Sequence, residues 1–242
     1  MENTLKSKIV GSCCVCGGTG YDEENSLCEC VIVLRAYNRM VHGGFKERVI
    51  DFVNKGNYGL PEIESGLQYL KFFLDNPLSA MDKGLGLYIY SKAKGRGKTT
   101  LAHFLVFKLL LEFMRTENYK SVESVCAFSH IQDCLKSKDD LFFHSNILVL
   151  DDLGNEDRAA AWLRDSAIPK LQRILHYRRD KRLVTILTSN YPPERITSLY
   201  KGELDSLLEI LGPHMGGELF RAVEVGGGED LRLREENTEW PV

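Results

Sequence analysis

Apolar residues along this chain fall into two kinds of run. The first kind is short and unbroken: "GLGLYIY" (Gly84 to Tyr90), "VCAF", "NILVLDDLG" (Asn146 to Gly154) and "RLVTILTSN" (Arg182 to Asn190). Continuous apolar runs of strand length predict parallel strands covered on both faces, and "LFRAVEV" predicts a last one. The second kind has helical spacing. "KTTLAHFLVFKLLLEF" puts Leu101, Phe104, Leu105, Leu109 and Phe113 on one helix face. "SGLQYLKFFLDN" predicts an earlier helix, and "SHIQ" (Ser129 to Gln132) fits a capping box opening another. In "NEDRAAAWLRDSAIPKLQRILHYRRD", Pro169 either kinks a charged helix or opens a second one. Strand-like and helix-like runs alternate from Gly84 onward, which predicts an α/β domain.

This pattern divides the chain into three. Residues 1–38 form a cysteine-rich head, residues 39–83 a helical linker region, and residues 84–242 the α/β domain. Composition narrows the picture. Of 242 residues 43% are apolar and 27% charged, an ordinary globular balance, and the net charge of −3 means that any nucleic-acid contact must be a local patch. "YRRDKR" (Tyr177 to Arg182) is the one basic run of that kind, and it reads equally as a solvated helix end with cations on the helix dipole. No stretch approaches the ~20 apolar residues of a membrane span, and "MENTLKSKIVGSCC" is too polar for a signal peptide. The expected setting is cytoplasmic and reducing, where clustered cysteines hold metal more often than disulfides.

The chemistry sits at the strand ends. "SKAKGRGKTTLA" lies between a predicted strand and a predicted helix, the setting in which Gly97-Lys98-Thr99 reads as a phosphate-binding loop. Backbone N–H groups around Gly95, Arg96 and Gly97 and the helix N-terminus at Lys98, Thr99 and Thr100 attract phosphate oxygens. Lys98 would reach the β- and γ-phosphates of ATP, and Thr99 would place its hydroxyl on Mg2+. Lys92 stands where the first glycine of the pattern belongs, at the turn rather than at the phosphate. Asp151 is a second candidate magnesium ligand, directly or through water. Asp152 would polarise the attacking water, and Asn190 would orient it near the γ-phosphate. In the head, Cys13-x-x-Cys16 and Cys28-x-Cys30, eleven residues apart, form a zinc pattern in which Cys14 competes with Cys13. Cys126 and Cys134 read as small core residues.

Together, "GLYIYSKAKGRGKTTLA", "ILVLDDLG", "LTSN" and a terminal "GGEDLR" resemble the AAA+ helicase loaders of the DnaC and DnaI type, over roughly residues 68–234. The transposition helper IstB is similar. The resemblance implies an α/β fold with a P-loop AAA+ parallel sheet sandwiched by helices. The short stretch after Asn190 leaves a reduced or absent lid. The resemblance makes Lys98 and Thr99 the Walker A residues, Asp151 and Asp152 Walker B, Asn190 the first sensor, and Arg232 the candidate for a second, phosphate-sensing arginine. "CCVCGGTGYDEENSLCEC" resembles the zinc-bearing N-terminal module of some helicase loaders, which contacts the helicase. Implied partners are a replicative helicase, single-stranded DNA and further copies of the chain, with no membrane.

One departure bears on rate. The family commonly carries "SRL" near the last strand, where its arginine reaches the neighbouring subunit's ATP. Here "GEL" puts Glu218 at that place, and Arg221 is the nearest substitute. Without such an arginine, worth roughly 10³- to 10⁵-fold, the site is expected to bind ATP and turn over slowly. The leading expectation is an ATP-dependent helicase loader. A transposition helper binding duplex DNA and a transposase is the alternative within the fold. A small-molecule kinase would lack the "TSN" strand end, and a zinc-stapled adaptor would keep only a vestigial ATP site.

Overall fold

In the computed structural model of the chain, residues 11, 13–47, 61–116, 126–138, 140–154, 161–199 and 220–226 are described. The apolar runs become β2 (Gly86–Tyr90), β3 (Cys126–His130), β4 (Ile147–Leu153), β5 (Val184–Ser189) and β6 (Phe220–Val225). An edge strand, β1 (Ile63–Ser65), precedes them; three residues of "IES" carry no period to read. The helices are α1 (Glu29–His42), α2 (Leu67–Asp75), α3 (Pro77–Lys83), α4 (Lys98–Arg115), α5 (Ile131–Lys136), α6 (Leu141–His144), α7 (Ala161–Asp180) and α8 (Pro193–Leu199).

The strands form one sheet in the order β1-β6-β2-β5-β4-β3. Every pair is parallel except β1 with β6. After β2 the chain crosses to the far edge at β3 and returns through β4 to β5, which lies beside β2. The carboxyl ends of β2, β5, β4 and β3 therefore share one edge, the place where open α/β sheets bind ligands.

The unbroken apolar runs follow from cover on both faces. Leu87, Ile89, Ile147, Val149, Val184 and Ile186 face one core with Leu101, Leu105 and Leu109 of α4 and Ala36, Tyr37 and Met40 of α1. Tyr88, Leu148, Leu150 and Leu187 face the other, with Leu171, Ile174 and Leu175 of α7. Cys126 and Cys134 are buried in these cores, as expected of small apolar residues. α1 starts inside the cysteine run and crosses the expected boundary at residue 38. Its end is bound to β3: Phe128 N–H donates to Gly43 O at 2.7 Å, and the Cys126 thiol donates to Arg39 O at 3.4 Å. A Cβ on Gly43 would lie 2.4 Å from Cys126 O, so only glycine permits this approach.

Three local expectations change. Ser129 caps no helix. β3 still pairs His130 with Asp151, so Ser129 is extended backbone, its hydroxyl donates to His130 O, and His130 is the N-cap of α5 without a side-chain capping bond. α7 runs through Pro169 without ending there, so the proline opens no second helix. In the basic run Tyr177 to Arg182, Arg178 is withdrawn from the surface, with 0% exposure. Its guanidinium donates to Thr185 Oγ1 (2.8 Å), Phe142 O (3.1 Å), Ser145 O (2.8 Å) and Val184 O (2.6 Å). The end of α6 and the start of β5 leave buried carbonyls that need donors, and Arg178 supplies them.

Arg178→Met would leave those carbonyls unsatisfied at about 1–3 kcal/mol each. We expect equilibrium urea denaturation to show a loss of at least about 3 kcal/mol. Arg179→Met, whose partner is the surface carboxylate of Asp180, should cost less than about 1 kcal/mol.

Candidate functional site

The shared strand edge is built from the loop Ser91 to Gly97. Gly95 (φ 73°) and Gly97 (φ 81°) have left-handed backbone, and Gly97 is the N-cap of α4. Lys98 and Thr99 therefore open the helix at the carboxyl end of β2, with Thr100 next to them. Lys98 is buried, and its Nζ donates to Asn190 Oδ1 just past β5 at 2.8 Å. Thr99 Oγ1 donates to Asp151 Oδ1 at the end of β4 at 2.9 Å. These four residues, expected to act together, come from three strand ends and meet.

Asp151 is 2% exposed. Besides Thr99 it accepts from Thr188 Oγ1 at 2.5 Å, and its Oδ2 lies 3.3 Å from His130 Nδ1 at the end of β3. Burial alone would push its pKa up. The hydrogen bonds from His130, Thr188 and Thr99 outweigh burial and hold the carboxyl below the usual range. The same contact raises the pKa of His130. Neither His130 nor Thr188 was anticipated. Thr188 lies in "LTSN" and His130 in "SHIQ", but only the pairing of β5 and β3 with β4 brings them to Asp151.

Asp152 owes its place to a bulge. Leu150 pairs with Leu187 and Leu153 with Ser189, so β4 holds one residue more than β5 over that interval. Asp152 lies in that interval, at φ 64°, and its N–H donates to Thr188 Oγ1 at 3.1 Å. A non-glycine residue held there marks a backbone fixed by its surroundings at a site where a side chain is re-aimed.

Lys92 needs no left-handed backbone. Its side chain, 75% exposed, pairs with Glu224 Oε1 of β6 at 3.4 Å, and Tyr90 OH donates to Glu224 Oε2 at 3.0 Å. It leans towards β6 and leaves the loop interior to Gly95, Arg96 and Gly97. Arg96 Nη1 is buried with no hydrogen-bond partner among the described residues. A buried orphaned cationic donor in this loop fits the anionic phosphates of a nucleotide. Arg221 stands in β6 beside Leu87, three residues before Glu224 and so towards the end of the strand remote from the loop. Glu218 and Arg232 lie outside the described residues.

His103 lies one turn after Thr99, wholly buried, with Nδ1 2.7 Å from Thr99 O. Its ring packs against Phe45 and Phe128, each at 5.0 Å. Burial pulls its pKa down to about 4.

The head holds a second constellation. Cys13 and Cys28 Sγ are 3.7 Å apart, Cys16 and Cys30 Sγ 3.6 Å, and all four sulfurs lie within 4.8 Å of one another. A tetrahedral zinc with bonds of about 2.3 Å separates its sulfurs by about 3.8 Å, whereas a disulfide would need about 2.05 Å. The donor set fits zinc. Cys14 is exposed and outside the set, which resolves its competition with Cys13. Burial works against ionisation of Cys16, but the backbone at Gly20 and Gly18 and the thiols of Cys30 and Cys13 bring it down to about 6. Cys126 is different: burial pushes it up to about 12, as for an inert core thiol.

No protein-family profile matches the chain, and no curated protein sequence does. Solved structures do. The replication initiator DnaA bound to AMPPCP and single-stranded DNA overlays at a TM-score of 0.50 with 17% identity, covering 77% of this chain and 56% of that one. A structure of DnaI overlays at 0.49 with 20% identity (70% and 87% covered), and the DnaC helicase loader at 0.47 with 23% identity (70% and 94% covered). The DnaA overlay shows that the α/β sheet sandwiched by helices is shared, and identities this low show the fold alone. Among the described residues no helix is long and apolar enough to cross a membrane.

Two outcomes follow from this geometry. Protein purified under reducing conditions should carry about one zinc per chain by elemental analysis, and Cys28→Ser should remove it. For His103, the folded pKa lies below the unfolded one, so the unfolded chain binds more protons between them. Stability should be full above about pH 6.5 and fall by up to about 3 kcal/mol as pH drops towards 4. Denaturation of His103→Asn across that window should show the slope flattened.

Proposed function

We propose that this chain is an ATP-dependent switch protein that delivers a ring-shaped replicative helicase onto single-stranded DNA when DNA replication starts. The observation that carries the reading is the meeting of three strand ends: Lys98 bonded to Asn190, and Thr99 bonded to the buried Asp151. A strand, a glycine loop and a helix opening on Lys-Thr suit a nucleoside triphosphate, and a carboxylate kept ionised in the interior suits its divalent cation. The family motifs in the sequence, and the overlay on an initiator bound to AMPPCP and single-stranded DNA, support placing that chemistry in replication.

When bound, Mg2+-ATP supplies a cleavable phosphoanhydride. Lys98, Arg96 and the N–H groups of the loop bind the phosphates. Thr99 and Asp151 hold the cation. Asp152, re-aimed by the bulge, takes a proton from water, and Asn190 orients that water. In an assembly of like chains Arg221 is the candidate that reaches a neighbour's nucleotide, with Arg232 as a second phosphate sensor. With Glu218 at the usual arginine place, turnover is slow, well below the ~10 s⁻¹ median of enzymes. The cysteine head, closed on zinc, docks the helicase. The working place is the cytoplasm.

The test is helicase deposition on labelled single-stranded DNA, followed by anisotropy with the replicative helicase of the same cell. Wild-type protein with ATP should raise the bound fraction, and folded Lys98→Ala should bind no ATP and deposit none. Equal deposition by Lys98→Ala would sink the switch. Recovery of a transposase in place of a helicase would favour the transposition-helper reading.

A further inference from the structure

We infer that His130 is a metal ligand beside Asp151, and that it makes the cation site of this protein prefer divalent ions that accept an imidazole, such as Mn2+ or Co2+, over Mg2+. The inference rests on the nucleotide-site reading and adds a residue that this reading does not use. His130 and Asp151 are register partners on adjacent parallel strands, so the backbone ladder brings them together. Adjacent ligands of an octahedral cation with bonds of about 2.1 Å stand about 3.0 Å apart. His130 Nδ1 to Asp151 Oδ2 is 3.3 Å, a gap that a shared proton spans when no ion is bound and that an ion would span once Nδ1 has released that proton. Ligand-capable atoms of His130, Asp151 and Asp152 all lie within 4.8 Å of one another.

Packing aims the imidazole. Its ring stands edge-on to Phe128 at 5.5 Å, and Phe128 is wedged against Phe45 (5.4 Å) and His103 (5.0 Å). The His130 side chain is 41% exposed and that of Asp151 3%, so the imidazole is the more open of the two groups to solvent. Mg2+ is a hard ion that takes oxygen donors and keeps its waters. A nitrogen donor adds more to the affinity of later divalent ions of the first transition row.

The experiment uses the full chain with its cysteine cluster zinc-loaded. Pulsed EPR on added Mn2+, alone and with a non-hydrolysable ATP analogue, reads nitrogen coordination, and a fluorescent analogue reads nucleotide affinity in Mn2+ and in Mg2+. His130→Asn keeps an N–H donor for Asp151 but removes the imidazole. We expect an imidazole nitrogen signal in the wild type that the variant lacks. We also expect nucleotide affinity about tenfold tighter in Mn2+ than in Mg2+, a ratio that collapses towards onefold in His130→Asn. Absence of the nitrogen signal from the wild type would overturn the assignment. So would equal losses in both metals, because His130 would then only orient Asp151. If the nucleotide binds in neither metal, the ATP reading fails, while the nitrogen signal from Mn2+ alone still decides His130.

Discussion

A carboxylate with 2% exposure has to be satisfied from within the protein, and Asp151 is satisfied by one helix N-terminus and two strands. An isolated buried charge would neutralise itself by shifting its pKa. Here Thr99 at the head of α4, Thr188 on β5 and His130 on β3 donate enough to keep Asp151 ionised. The arrangement holds only if the strands stop at the same level and α4 begins there. The parallel order β2-β5-β4-β3 is the topology that meets this demand.

The backbone departs from the ladder at the same place. Between Leu150 and Leu153 β4 takes the extra residue of a bulge, with Asp152 at φ 64° directly after Asp151. The N–H of Asp152 is compensated by Thr188 Oγ1, the hydroxyl that also meets Asp151. One threonine thus serves two consecutive carboxylate residues. That links the charge of the site to its geometry: a change at Thr188 would disturb both.

The cysteine head is too small to build its own core, and the clustered Cys13, Cys16, Cys28 and Cys30 and α1 stand in its place. α1 leaves the cluster from Cys28 and Cys30 and packs on α4, the helix that opens at Lys98. Its far end closes on β3 through Gly43 and Phe128, and Phe45 beyond it touches His103. His103 in turn holds Thr99 O. The cysteine cluster and the loop Gly95 to Thr99 are therefore two ends of one packed unit among the described residues, with aromatic rings between them.

The sequence by itself determined the strand and helix types, the loop Gly95 to Thr99, the Asp151-Asp152 pair and the cysteine spacing. Each is local: an apolar run, a glycine before a helix or a short spacing carries its meaning wherever the chain goes. β1 was illegible because three residues at an edge have no period, and its identity comes from pairing with β6. The capping role expected of Ser129 failed because β3 pairs two residues further than its apolar run, through His130. Arg178 looked like surface charge, since nothing in "YRRDKR" says that carbonyls of α6 and β5 wait beside it. His130, Thr188 and the choice of Cys13 over Cys14 were decided by the tertiary structure alone. They depend on which strands become neighbours and on which way a side chain faces once they do, and both are set by long-range pairing that leaves no periodic trace in the chain.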